Sequence, residues 1–113
     1  MNATYATLLY RIAAFVFLVG CIGHTYHVLG YRGVYRGLGL MGTASLLFWA
    51  FLSWHLGDLA RSAPGAIGAL SWAFFAVQLA GVVLSFLYFG LPPRVLSVLF
   101  AVIVGLAAGL AQR

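Results

Sequence analysis

The 113-residue sequence contains no lysine, no glutamate and a single acidic side chain, Asp58. Charged residues make up 6% of the chain, where a soluble globular domain carries about 25%. With 65% of the residues apolar, a water-soluble globule is excluded. Disorder is excluded as well, because it needs low hydrophobicity and high charge. The one cysteine, Cys21, cannot form an internal disulfide. A lone acid rules out a carboxylate pair for acid–base work. No Ser/His/Asp order, zinc-protease pattern or phosphate loop occurs, so no catalytic nucleophile is visible and enzymatic activity is left open. The net charge of +5 comes from six arginines, with no basic patch interleaved with aromatics, so nucleic acid is not an expected partner.

What the sequence has instead is long uncharged runs. The charges at Arg11, Arg32, Arg36, Asp58, Arg61, Arg94 and Arg113 leave Ile12 to Tyr31, Gly37 to Gly57, Ser62 to Pro93 and Val95 to Gln112 free of charge. A helix needs roughly 20 apolar residues to cross the hydrocarbon layer. The expected fold is therefore all-α: one transmembrane domain over 1–113, with four helices in a compact bundle at about 7–29, 38–59, 66–89 and 94–111. Gly30 to Gly37, Ala60 to Gly65 and Gly90 to Pro93 read as the turns. The first run is too long for the core of a signal peptide, and polar His24 and His27 stand where a cleavage site would be.

Four spans bring the chain back to its starting side, so both termini are expected on one face of the membrane. That face holds Tyr5, Tyr10, Arg11, Trp54, Asp58, Arg61, Trp72 and Arg113. The other holds Tyr26, Tyr31, Arg32, Tyr35, Arg36, Tyr88 and Arg94, and the two sets read as aromatic belts. Each face has three arginines, so the positive-inside rule gives no orientation. Either another signal decides, or the chain inserts both ways and forms an antiparallel dimer. The expected setting is a bacterial inner membrane, with the lipid bilayer, further copies of the chain and a larger membrane complex as candidate partners.

Small and polar residues mark the faces on which membrane helices pack. The first helix offers Ala13, Val16, Gly20, His24, His27 and Tyr31 at steps of three and four. The second offers Gly39, Gly42, Ser45 or Leu46, Trp49 and Ser53. The third offers Ser71, Phe75, Gln78, Val82, Ser85 and Phe89, and the fourth Ser97, Ala101, Gly105 and Ala108. From these stripes, His24, His27, Gln78, Ser71, Ser85 and Trp49 are the candidate ligand-binding residues. Cys21, His24 and His27 follow one helix edge, a spacing compatible with a metal ion or a haem edge, although no carboxylate lies near to orient the rings. Otherwise His24 bonds across the bundle, with Ser85 at similar depth. His55, Asp58 and Arg61 form a second cluster, in which Asp58 is placed to orient the imidazole, pair with Arg61 or serve as a proton site. His55 lies roughly 15 to 20 Å from His24 along the membrane normal, at 1.5 Å per residue, so one subunit cannot join them at one metal.

The segment Arg11-Ile-Ala-Ala-Phe-Val-Phe-Leu-Val-Gly-Cys-Ile-Gly-His24 resembles the opening helix of DoxX-like membrane proteins. The resemblance implies a small four-span fold and, for some members, association with quinone-linked sulfur redox complexes. Where that family often shows Lys, this chain has His24. The layout also looks like that of small multidrug exporters, but the chain lacks their membrane-embedded acid. Three functions follow as expectations. The first is binding or translocation of a small hydrophobic or weakly polar molecule. The second is a redox-complex subunit holding haem or quinone through histidines, and the third is an assembly subunit without a ligand.

Overall fold

A computed structural model describes residues 2–63 and 67–112. It has four helices: α1 (Asn2–Val28), α2 (Gly33–Ser62), α3 (Gly68–Tyr88) and α4 (Leu91–Ala111). Each is long and apolar enough to cross a membrane, as expected of an integral membrane protein. The bundle measures 47 × 22 × 19 Å. At 1.5 Å per residue α3 and α4 are about 32 Å long, close to the hydrocarbon thickness of about 30 Å. By the same rise α1 and α2 reach about 40 and 45 Å, so they must tilt or extend into the headgroups.

The boundaries differ from the sequence reading at several helix ends: α1 begins at Asn2, five residues before the expected Thr7, α2 runs to Ser62, and α2 and α4 begin early for identifiable reasons. The glycine-rich stretch after the first helix is not an eight-residue turn. Only Leu29 to Arg32 turn, closed by Gly30 N–H to His27 O (3.2 Å) and Tyr31 N–H to Val28 O (2.9 Å). Gly33 takes a left-handed φ of 61°, which glycine adopts without a Cβ clash, and α2 begins there. Arg36 then donates back to the carbonyls of Tyr31 (2.8 Å) and Leu29 (3.1 Å), satisfying acceptors left over at the end of α1. At the other short connection, Pro92 and Pro93 do not delay the helix. They occupy the first turn of α4, where an N–H has no intrahelical acceptor to lose. Arg94 reaches back to the Ser85 and Phe86 carbonyls at the end of α3. The Pro64-Gly65 punctuation, the expected start of the third helix at Ala66, and Arg113 lie outside the described residues.

The helices alternate in direction. Thr7 meets Gly57, and His24 meets Gly39, so α1 and α2 are antiparallel. Ser71 meets Gln112 and Ser85 meets Arg94, so α3 and α4 are too. The principal packing is α2 on α1, α1 on α4 and α4 on α3. The end holding Thr7, Gly57, Ser71 and Gln112 is called end A, and the end holding the two short turns end B.

Glycines let the backbones approach. A Cβ at Gly39 would lie 2.5 and 2.7 Å from the two methyls of Val28, and one at Gly105 would lie 2.7 Å from the Phe75 ring. Both contacts are shorter than carbon atoms tolerate, which is how small residues promote close packing in lipid. Gly39→Val should push α1 and α2 apart and cost about 1–3 kcal/mol, the usual range for overpacking. Gly37→Ala, where a Cβ meets nothing within 4 Å, should cost nothing and raise stability by up to about 1 kcal/mol, because alanine is the better helix former. Unfolding titrations in mixed detergent micelles compare the two.

Phe17 is the hub. Fully buried, it meets Trp49 of α2, Phe74 of α3 and Phe100 of α4 at centroid distances of 5.9, 5.8 and 4.3 Å. Around it the core is densest toward end A, with Ala6, Tyr10, Ala13, Leu56, Ile67, Val104 and Ala107. Toward end B the packing thins, and no residue of α2 from Gly33 to Trp49 is buried. Tyr10, expected in the interfacial belt, is instead part of the core.

Candidate functional site

Three groups of polar side chains stand out, and they divide the candidate residues among them. The first lies between α1 and α2 near end B. His24 donates from Nε2 to the Gly39 carbonyl (2.9 Å), and its ring fills the space that Gly42 leaves open. Thr25 donates to the Cys21 carbonyl (2.7 Å), its oxygen lies 3.3 Å from the Thr43 hydroxyl, and the Cys21 thiol points at the Thr43 carbonyl (3.5 Å). His24 therefore bonds across the bundle, but to a backbone carbonyl of α2 and not to Ser85. His27 stands apart from it, exposed and bonded through Nε2 to the Tyr31 hydroxyl (2.9 Å). Cys21, His24 and His27 are thus not gathered at one point. Among the described residues, no three His, Cys, Asp or Glu side chains are close enough to hold a metal ion.

The second group lies at end A. Asp58 pairs with Arg11 of α1 at 2.6 Å, in place of the partners expected on its own helix, His55 and Arg61. Arg11 also lies over the Trp54 ring, with its Cζ 4.6 Å from the centroid. His55 is exposed and sits edge-on to Phe51 at 4.5 Å. The register Ser53 to Tyr10 and Gly57 to Thr7 puts His55 level with about residues 8–9, roughly 23 Å along the bundle from His24 at 1.5 Å per residue, a little more than the expected gap. Depth separates these histidines as the sequence implies. The ion pair is 35% and 50% exposed on its two sides, so Asp58→Asn should cost no more than about 1 kcal/mol. That difference should shrink as salt rises, which thermal unfolding at two salt concentrations would check.

The third group is the buried polar seam on α3: Ser71, Gln78 and Ser85, with Phe74 between. Burial picks out the same three polar residues as the stripe read from sequence. Ser71 donates to the Ile67 carbonyl (2.9 Å), with the Gly68 carbonyl also within reach (3.1 Å), and accepts from Gln112 Nε2 (3.1 Å). The Tyr10 hydroxyl faces Ser71 but closes no hydrogen bond. Gln78 sits at the midpoint of α3 and is 2% exposed, yet its Nε2 has no hydrogen-bond partner. The antiparallel register of α3 and α4 sets it level with about Ala101 to Val104, an entirely apolar stretch. Trp49, another candidate, is half-buried against Phe17 and joins the core instead of the seam.

Two participants escaped the sequence reading. Arg11 and Tyr10 read as interfacial residues, yet Arg11 holds the only acid, and the Arg11 Nε and the Tyr10 hydroxyl, like the Gln78 amide, are buried without a hydrogen-bond partner. The available signal for Arg11 was depth. Arg11 and Asp58 stand at the same face on consecutive helices, and the sequence has no other acidic side chain to pair with an arginine.

Compared with known proteins, the chain matches no protein-family model, no curated protein and no solved structure.

Proposed function

We propose that this chain is an integral membrane protein that binds, inside its bundle, a small and largely apolar molecule bearing one hydrogen-bond acceptor. Gln78 is the group that receives the acceptor. The carrying observation is the unpartnered amide nitrogen of a 2% exposed side chain at mid-span. An orphaned buried donor costs about 1–3 kcal/mol, and in hydrocarbon no water is present to relieve it. An apolar ligand with a carbonyl or ether oxygen would relieve it and bring its own apolar surface into an apolar site. Binding of this kind is also the first step of translocation.

A quinone carbonyl is an acceptor of this kind, with its second carbonyl left to another partner, so the redox alternative stands most naturally on the amide. His24 and His27 have their Nε2 atoms committed to Gly39 and Tyr31. The DoxX-like resemblance of the first helix is compatible with a quinone. Organic extraction of the purified protein, followed by mass spectrometry, tests the reading. The extract should contain a small molecule with an acceptor oxygen that Gln78→Leu fails to retain. Extracts that are identical for the two proteins would remove the proposal.

A further inference from the structure

We infer a second binding site, on the lipid-facing side of α1 and α2, for one acyl chain of an anionic phospholipid. It goes beyond the Gln78 reading and shares with it only the placement in a membrane. The site is an open apolar groove of about 560 Å³. Its floor is small, with Ala14 and Ala50 buried, and larger side chains such as Leu18, Leu47 and Phe51 form the rims. Trp54 stands at its end A limit and Ala44 at the other.

Length identifies the occupant. Trp54 and Ala44 are ten residues apart on α2, about 15 Å at the helical rise. That is half of the roughly 30 Å hydrocarbon layer, the depth reached by the chains of one leaflet. The groove begins at the belt tryptophan, where a headgroup would sit, and stops near mid-membrane, where a chain from that leaflet ends.

Charge identifies the headgroup. The α2 wall continues as Leu47, Phe51, Trp54, Asp58 and Arg61 at alternating steps of four and three, so all five share one face. The α1 wall continues as Leu18, Ala14 and Arg11 by the same rule. Each wall of the groove therefore runs from apolar side chains into an arginine at end A. Asp58 neutralises one of the two through its pair with Arg11, which leaves one net positive charge, and His55 beside Phe51 adds a polar N–H. Arg61 stands about 10 Å beyond Trp54 at the helical rise, so a phosphate above the mouth of the groove meets a cation while its chain lies on alanine.

The test uses Trp54 as the reporter, in a protein carrying Trp49→Phe and Trp72→Phe, reconstituted in phosphatidylcholine vesicles. A minor fraction of the lipid is replaced by chain-brominated phosphatidylglycerol or by chain-brominated phosphatidylcholine. Bromine quenches tryptophan on contact. Phosphatidylglycerol should be preferred about fivefold, the factor expected for one basic charge near a membrane surface. Arg61→Gln should bring the preference close to one, while Arg32→Gln at end B should leave it unchanged. Ala44→Phe, which obstructs the mid-membrane end of the groove and keeps both arginines, should reduce quenching by either lipid. Equal quenching by the two lipids would overturn the inference, as would a preference that survives Arg61→Gln. Shielding of Trp54 from both lipids would do so too, because a second copy would then cover the groove.

Discussion

Leucine at position 78 should make the protein more stable and unable to bind. Gln78 and leucine have similar volume, so the substitution opens no large cavity. It removes an amide that is buried and lacks a partner on its nitrogen. Removing such a group recovers the desolvation penalty, and the gain should be about 1–3 kcal/mol in protein stripped of small molecules. Ligand-bound wild type should close part of that gap, because a molecule that binds only the folded state stabilises it by mass action. The measurement is a pair of thermal melts, wild type and Gln78→Leu, before and after adding back the wild-type extract. Wild type should rise on addition, and the variant should start higher and not move. A purely structural glutamine gives the opposite pattern: Leu lowers the first melt, and the extract moves neither.

The largest loss of stability should come from Phe17→Ala. In soluble cores Phe→Ala costs about 3–5 kcal/mol, partly from lost transfer to an apolar interior and partly from the cavity. In a bilayer the transfer part nearly vanishes, since lipid tails are as apolar as the core. The cavity part remains, and here it is large because one ring touches three other helices. The expected cost is about 2–3 kcal/mol, from the cavity share of that range. Phe48→Ala, at a ring 61% exposed, should cost less than about 0.5 kcal/mol. Unfolding titrations read both, and Trp49 emission should shift in Phe17→Ala because its indole loses the ring it packs against.

The contrast between those two phenylalanines marks what sequence can and cannot reveal in a membrane. Charge is so costly in hydrocarbon that seven charged residues were enough to place four spans. Polar and small residues are scarce enough to mark packing faces, so Gly39, Gly42 and Ser53 could be assigned to one packing face of α2, which the structure turns toward α1, and Ser71, Gln78 and Ser85 to an inner seam. Phenylalanine carries no such signal. Phe17 at the centre and Phe48 on the surface are equally at home beside lipid or protein, and only the fold separates them. Turn chemistry misled in another way. Of the glycines from Gly30 to Gly42, Gly33 has a positive φ, whereas Gly39 and Gly42 serve close helix approach. The pairing of Asp58 escaped because spacing along one helix favours Arg61, while the actual partner lies on another helix 47 positions away.

Amide nitrogens offer the most direct test of the account, because the sequence has so few of them. Asn2, Gln78 and Gln112 are the only carboxamide side chains in the chain, so a ¹⁵N-labelled sample gives three side-chain NH₂ signals. Gln112 already donates to Ser71. The signal lost in Gln78→Leu identifies Gln78, and stripped protein is then titrated with an organic extract of the source membranes from which only the phospholipids have been removed. The account predicts that the Gln78 protons move downfield as they gain an acceptor, while the Asn2 and Gln112 signals stay in place. A Gln78 signal unmoved at every extract concentration would contradict it.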